Sequence, residues 1–285
     1  LAHTAPAAPA PPVATPSRPP GDVFLVFSGK GGVGRSVLAT NLAVTLARDT
    51  GARVALVDLD LQFGDVGVML NLDHSRSITD LIDSAEQLAP ETLEEVLAEG
   101  PAGVKVLLAP ISPELADLVT PGHVRAIMAE LRRSFDYVVV DTSTHLAEFN
   151  LEVIEMASKV LVVTSLTIAA IKDAKLTLKV LESLNVDPES ILLVINRVDA
   201  FLEFNRESIE RNLNCPVAAE IAHDPRLVGD SVTHGFPFVE RQPEAEVSEA
   251  VRQLAVRLVP SKALAGVGAG GDQGKKRQRR GIFGR

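Results

Sequence analysis

The chain has 285 residues, of which 46% are hydrophobic, and a formal net charge of −9. It can bury a sizeable core, and a single large α/β domain with unstructured ends fits this length. No apolar run is long enough to span a bilayer, no signal peptide is visible, and the single Cys215 excludes an internal disulfide. The acidic balance argues against direct DNA binding, because DNA affinity comes mainly from phosphate neutralisation.

The N-terminal segment, residues 1–21, is rich in proline and alanine. Seven of the first 20 residues are proline and six are alanine. Such a segment is extended and cannot build a core. We interpret it as a linker whose upstream domain is missing, since Leu1 is not a start methionine. A ragged N-terminus is the alternative.

From Asp22 to residue 260 the pattern alternates between strands and helices. The predicted strands are Val23–Phe27, Val54–Val57, Val104–Leu108, Tyr137–Val140, Val160–Val163, Ile191–Ile195 and Val217–Ile221. The predicted helices are Val37–Ala47, one from Pro121 to about Arg133 capped by Thr120, Ile168–Leu184, and Pro243–Leu258. This alternation predicts an α/β fold in three layers, with a mainly parallel, twisted sheet and helices on both faces.

The C-terminal segment, residues 261–285, combines a flexible glycine-rich spacer with a basic end. Six lysines and arginines lie in residues 275–285 without an acid. Three interpretations stay open: a solvated charge run, peripheral contact with anionic lipid through Ile282 and Phe283, and docking to an acidic protein.

A glycine-rich loop, Ser28-Gly29-Lys30-Gly31-Gly32-Val33-Gly34-Arg35-Ser36, follows the first predicted strand. Its glycines let backbone N–H groups approach phosphate oxygens, and the following helix adds its positive end. Arg35 replaces the usual lysine of a phosphate-binding loop and keeps the charge but not the shape. We assign the nucleotide site to Gly29, Lys30, Gly31, Gly32, Val33, Gly34, Arg35 and Ser36. A structural turn is the alternative.

Polar residues follow three further predicted strands, at the edge where parallel sheets bind ligands. Asp58 and Asp60 follow the second strand, Asp141 has the form of a Walker B acid, and Asn196 could contact the base. Ser36, Asp58 and Asp141 are the candidate ligands of Mg²⁺. Each acid alone could be a solvated strand end, and Asn196 a turn cap. The order of the motifs favours a nucleotide site.

Two segments carry a family resemblance that covers Val23 to Leu258. Lys30-Gly31-Gly32-Val33-Gly34-x-Ser36 resembles the deviant Walker A loop of the MinD/ParA ATPases. The segment Val57-Asp58-Leu59-Asp60-Leu61-Gln62-Phe63-Gly64-Asp65-Val66-Gly67-Val68-Met69-Leu70 resembles the CpaE/TadZ branch, whose members help to place and assemble Flp (tight-adherence) pili. The N-terminal linker also fits this branch, whose members often carry a receiver-like domain before the ATPase.

The resemblance implies a P-loop NTPase fold, ATP and Mg²⁺ as cofactors, and an ATP-dependent homodimer. Lys30 would reach the partner's nucleotide, Asp60 would orient the hydrolytic water, and Asp58 and Asp141 would lie near Mg²⁺. Asn196 and Asp224 match positions near adenine. The implied location is the cytoplasm, at a pole or peripherally on the inner face of the membrane, with pilus or secretion assembly proteins as partners.

Two departures from the family pattern predict a weak ATPase, converting ATP to ADP and phosphate. Arg35 replaces the loop lysine, and Asp141-Thr142-Ser143-Thr144 lacks the proline that commonly follows the Walker B acid. ATP would then act mainly as a dimerisation switch. The alternatives are a catalytically inactive scaffold of the same fold and a septum-site or DNA-partitioning ATPase.

Overall fold

The computed structural model describes residues 19–145, 147–198 and 205–259. The strands in these ranges are β1 (Asp22–Phe27), β2 (Val54–Leu59), β3 (Ala98–Glu99), β4 (Lys105–Leu107), β5 (Tyr137–Thr142), β6 (Lys159–Ser165), β7 (Ile191–Val198) and β8 (Val217–Ala222). The α-helices are α1 (Arg35–Thr50), α2 (Val66–Met69), α3 (Pro90–Val96), α4 (Pro121–Ser134), α5 (Glu148–Met156), α6 (Ile168–Ser183), α7 (Arg206–Leu213), α8 (Pro225–His234), α9 (Phe238–Arg241) and α10 (Glu246–Leu258). Most of the predicted linker and all of the predicted C-terminal segment lie outside the described residues.

The strands form one sheet in the order β3-β4-β2-β5-β1-β6-β7-β8. Every neighbouring pair is parallel except β3 and β4, which are antiparallel. The central strands are apolar along nearly their whole length, as strands covered on both faces must be. The predicted α/β fold with a mainly parallel sheet is confirmed.

Alternate side chains of each central strand pack in opposite halves of the core. Val23 and Leu25 of β1 pack in the half that contains α4 and α5, whereas Phe24 and Val26 pack in the half that contains α1 and α10. This follows from the two-residue side-chain period of a strand. The result is three layers, in which the loops after the parallel strands meet at one edge of the sheet.

The longest predicted helices are present, with shifted ends. The first begins at Arg35, two residues before the predicted Val37, and ends where Gly51 adopts a left-handed conformation with φ of 66°. Thr120 caps α4 as predicted, its hydroxyl accepting from the backbone N–H of His123. The last begins at Glu246 rather than Pro243, because the N–H of Ala245 closes a turn onto Gln242. None of the described helices is long and apolar enough to cross a membrane.

Several short elements escape the sequence pattern. Between β2 and β4 lie α2, a 3-10 segment at Ile78–Gln87, α3 and the two-residue strand β3. The predicted strand ends are also wrong at three polar residues: Asp58, Asp141 and Asn196 lie inside β2, β5 and β7 rather than after them. Backbone pairing with neighbouring strands continues past the apolar run, since Asp58 pairs in register with Asp141.

Candidate nucleotide site

The phosphate loop joins β1 to α1 and is held by glycine geometry. Gly32 and Gly34 have φ values of 75° and 90°, which side chains strongly disfavour. A Cβ at Gly34 would lie 2.2 Å from Nδ2 of Asn196. That amide instead donates to the carbonyl of Val33 at 2.7 Å. The loop therefore ends against β7, and α1 begins directly behind it.

Asp58 lies beneath the loop, buried in β2. Its Oδ1 accepts from the N–H of Asp60 at 3.0 Å and its Oδ2 from the N–H of Val66 at 3.1 Å. Gly64 closes over it, since a Cβ there would lie 2.4 Å from Oδ2. Burial, and then the charge of Asp141, raise the pKa of Asp58 well above its usual value. Asp58 therefore shapes the loop that follows β2.

Arg35 connects two carboxylates across the site. Its Nε donates to Oδ1 of Asp141 at 2.9 Å, and its Nη2 donates to Oδ2 of Asp60 at 3.0 Å. The side chain of Arg35 is 10% exposed, that of Asp60 is 21% exposed and that of Asp141 is fully buried. The residue that replaces the loop lysine thus bonds to both the candidate catalytic acid and the Walker B acid and offsets part of their charge.

Asp141 keeps one oxygen available. Its Oδ2 is buried and has no hydrogen-bond partner among the described residues. Burial raises its pKa, while the charge of Arg35 and polar contacts from Ser36 and Arg35 lower it. A buried, unpartnered carboxylate oxygen beside a hydroxyl is the hard-oxygen donor set that Mg²⁺ prefers. The residues present therefore fit Mg²⁺, with Asp141 and Ser36 as the groups that would hold it.

Protein ligands alone do not complete a metal cage here. Among residues 19–145, 147–198 and 205–259, no group of three or more histidines, cysteines and acids is placed to hold a metal ion. Magnesium commonly binds one or two protein groups and completes its shell with water and substrate phosphates. This arrangement matches a cation that arrives with a nucleotide.

A cleft of about 820 Å³ opens beside the loop. Most of the predicted site residues line it: Lys30, Gly31, Gly32, Gly34, Arg35, Ser36, Asp60, Asn196 and Asp224. Asp224 caps α8 by accepting from the N–H of Leu227 at 2.9 Å. The other four predicted residues lie behind the lining. Asp58, Asp141 and Val33 are buried, and Gly29 packs so closely on α6 that a Cβ would lie 2.7 Å from Oγ1 of Thr177.

Sequence reasoning missed the apolar wall of this cleft. Phe238, Val247 and Val251 line it from α9 and α10, about as far along the chain from the loop as the domain allows. It also missed Arg197, which follows Asn196 with φ of 58° and donates its N–H to Oδ1 of Asn196. Tertiary packing brings Phe238, Val247 and Val251 to the site, and no local pattern marks them, whereas Arg197 could have been found from its place next to Asn196.

The comparisons with known proteins agree with this geometry. The family model ParA, described as "NUBPL iron-transfer P-loop NTPase", matches residues 21–259. The chain belongs to the ParA family of P-loop NTPases. It is 29% identical over 247 residues to the septum site-determining protein MinD of Bacillus subtilis (strain 168), covering 84% of this chain and 89% of that protein.

Solved structures show the same fold. A ParA family ATPase from Chlorobium tepidum TLS matches with a TM-score of 0.78 and 23% identity, covering 82% of this chain and 98% of that one. The septum site-determining protein MinD from Pyrococcus horikoshii OT3, complexed with Mg-ADP, matches with a TM-score of 0.72 and 22% identity, covering 87% and 98%.

Proposed function

We propose that this ParA-family chain is an ATP-dependent dimerisation switch of the CpaE/TadZ kind that hydrolyses ATP weakly. It would help to localise and assemble a Flp/Tad type IV pilus or a related secretion machine. The carrying observation is the convergence of the phosphate loop and Asp60 on one cleft, with Arg35 of the loop also bonded to Asp141 behind the cleft lining. Asp141 and Ser36 would hold Mg²⁺, which would supply positive charge to offset that of the nucleotide phosphates.

The segment that carries the CpaE/TadZ resemblance is part of the site wall. Phe63 and Asp65 line the cleft, and Gly64 packs against the carboxylate of Asp58. A change in this segment would therefore alter the nucleotide site itself.

Weak hydrolysis is supported by the state of Asp60. Arg35 already occupies Oδ2 of Asp60, so Oδ1 would be the oxygen that orients the attacking water, and the same carboxylate would serve both groups. Isothermal titration with ATP and ADP, with and without Mg²⁺, and a phosphate-release assay test both parts. No nucleotide binding would overturn the proposal in favour of an inactive scaffold. Turnover as fast as that of a lysine-loop relative, or unchanged in Arg35→Lys, would refute the weak ATPase.

Dimerisation is expected to depend on Lys30, which is exposed at the mouth of the cleft. We expect Lys30→Ala to remain folded and monomeric with ATP, because its ammonium would contact the partner's nucleotide. Lys179→Ala, an exposed lysine on α6, is the matched control. Light scattering after gel filtration with ATP measures the mass. An ATP-dependent dimer of Lys30→Ala would contradict the assigned role.

The cellular role can be separated from that of septum placement, which the MinD relative's name favours. Deletion of the gene that encodes this chain should remove surface pili, and a fluorescent fusion of the chain should lie at a cell pole. Misplaced septa with normal pili would instead support the septum-site alternative. A salt-dependent DNA shift would support DNA partitioning, which the net charge of −9 argues against.

The basic end at residues 275–285 is the proposed peripheral membrane contact. Co-sedimentation with vesicles containing anionic lipid should fall when these residues are removed, because their positive charges would be lost. Equal partitioning of the full and shortened chains would exclude the membrane contact and leave the solvated run or an acidic protein partner.

A further inference from the structure

Arg35 spans two carboxylates in a way that lysine cannot. A guanidinium presents several N–H donors in a rigid fork, whereas an ammonium is a compact point charge. Here Nε of that fork reaches Asp141 in β5, and Nη2 reaches Asp60 in the loop that follows β2. The replacement therefore creates a bridge between the acids as well as preserving a charge.

The arm of this bridge that joins Arg35 to Asp141 is largely shielded from water, whereas Asp60 is 21% exposed at the cleft. Arg35 is only 10% exposed and Asp141 is fully buried, so water screens their attraction poorly. Hydrogen bonds between ionised groups are the strongest of those found in proteins. A second cation approaching these carboxylates must therefore compete with an interaction already made.

The cluster nevertheless holds more acid than base. Asp58, Asp60 and Asp141 interact with one another electrostatically, and Arg35 engages two of the three. One buried oxygen, Oδ2 of Asp141, has no hydrogen-bond partner in the described ranges. The cluster thus retains a donor atom for a hard cation, while the arginine holds Oδ1 of Asp141 and Oδ2 of Asp60 and backbone N–H groups hold both oxygens of Asp58.

We propose that Arg35 is the resident counter-cation of this site, and that a divalent cation competes with its guanidinium for Asp60 and Asp141. The inference rests on the proposed nucleotide function and states that Arg35 controls cation binding at the nucleotide site. A nucleotide phosphate offers the displaced guanidinium a new anionic partner. Cation and nucleotide binding are thereby coupled through one side chain of the loop.

The first test measures Mn²⁺ binding without nucleotide, by electron paramagnetic resonance, in the wild type, Arg35→Gln and Arg35→Lys. We expect Arg35→Gln to bind Mn²⁺ at least about tenfold more tightly than the wild type, because charged hydrogen bonds no longer have to be broken. Arg35→Lys should fall between them. Arg206→Gln is the matched control, since Arg206 also bridges two carboxylates, Glu210 and Glu220, outside the cleft.

Equal Mn²⁺ affinity in the wild type and Arg35→Gln would overturn the inference, as would an equal gain in Arg206→Gln. Circular dichroism reports whether each variant is folded. If Arg35→Gln does not fold, Arg35→Lys carries the comparison, and affinity no tighter than the wild type's overturns the inference.

The second test measures ADP affinity in Mg²⁺ and in EDTA. We expect EDTA to weaken ADP binding less in the wild type than in Arg35→Lys, because the guanidinium of Arg35 holds both acids and so competes more strongly with the cation. A loss of ADP affinity in EDTA that is as large in the wild type as in Arg35→Lys, or larger, would count against the inference. Absence of ADP binding in every variant would refute the proposed function instead, while the nucleotide-free Mn²⁺ comparison would still decide the role of Arg35.

Discussion

The conformation of the phosphate loop depends on Gly34, where a side chain would collide with Asn196. The amide of Asn196 is used twice, donating to Val33 and accepting from Arg197. It therefore fixes the end of the loop against β7. A residue expected to face the base also serves as a support for the phosphate-binding backbone.

Two glycines of this loop provide a matched comparison. Both have positive φ, but a Cβ at Gly32 meets nothing within 4 Å, whereas one at Gly34 overlaps Asn196. We expect Gly32→Ala to lower the free energy of unfolding by about 1 kcal/mol, and Gly34→Ala by about 2–3 kcal/mol, because overlap adds to backbone strain. Urea denaturation measures both. Equal losses would show that Asn196 moves aside freely.

Parts of the candidate site could be predicted only where the type of a single residue and its position relative to a predicted strand were both informative. Gly34 follows β1, and Asp58 and Asp141 lie near the carboxyl ends of β2 and β5, so the three come in the expected order at one edge of the sheet. The pairing of Arg35 with Asp60 and Asp141 could not be predicted, because it joins positions 25 and 106 residues apart. Which acid an arginine selects depends on packing, and a local pattern does not contain that information.

At the scale of elements, the predictable parts were those with their own local signal. Thr120-Pro121 predicted the start of α4, and the long apolar runs predicted the central strands. The strand β3 has two residues and α9 has four, so neither is long enough to show a period. These short elements exist because neighbouring elements pair with them or cover them.

The start of α4 tests how much a local signal contributes. The hydroxyl of Thr120 accepts from the N–H of His123, and the His123 side chain accepts from the N–H of Thr120. We expect Thr120→Ala to lower the free energy of unfolding by about 1 kcal/mol, since the N–H groups of the first turn lose a partner. Ser183→Ala, near the end of α6, should change it by less than about 0.5 kcal/mol. Equal effects in urea denaturation would argue against the cap.

Cys215, between α7 and β8, reports on the packing of these two elements. It is buried, and burial is the first cause that raises the pKa of its thiol. We expect iodoacetamide at pH 8 to alkylate the folded chain at least about tenfold more slowly than the unfolded chain, because the thiolate is the nucleophile. Mass spectrometry measures the rate. Similar rates would show that α7 and β8 separate readily.

The raised pKa of the Cys215 thiol also determines how its contribution to the free energy of unfolding changes with pH. The folded thiol holds its proton at a pH where the unfolded thiol has lost it, so its contribution is complete below the unfolded value. That contribution declines as pH rises through the folded pKa. The difference in the free energy of unfolding between the wild type and Cys215→Ala should therefore shrink above about pH 8.5. A difference that grows with pH would contradict the assigned burial.

At the scale of the whole molecule, exposed apolar side chains gather at the edge that carries the site. Phe63, Ile111 and Ile168 follow β2, β4 and β6 and are 73%, 67% and 91% exposed. Clustered exposed apolar residues mark interaction surfaces more often than scattered ones do. Phe63 lines the cleft, and Ile111 and Ile168 follow strands that end at the same edge of the sheet, which supports the proposed dimer closing over the nucleotide.

Ile168 offers the sharpest test of that surface, because it begins α6 at the site edge while Leu184 follows the same helix at its far end. The helix is about 24 Å long at 1.5 Å per residue, so the two positions report on opposite edges of the sheet.

We expect Ile168→Asp to weaken ATP-dependent dimerisation at least about tenfold, since burying an unpaired carboxylate is costly. Leu184→Asp, 41% exposed in the wild type, should leave it unchanged. Sedimentation velocity with ATP measures both. Because neither side chain is buried in the monomer, both variants should unfold like the wild type. A dimer weakened by Leu184→Asp but not by Ile168→Asp would place the interface away from the nucleotide and remove the assigned role of Lys30.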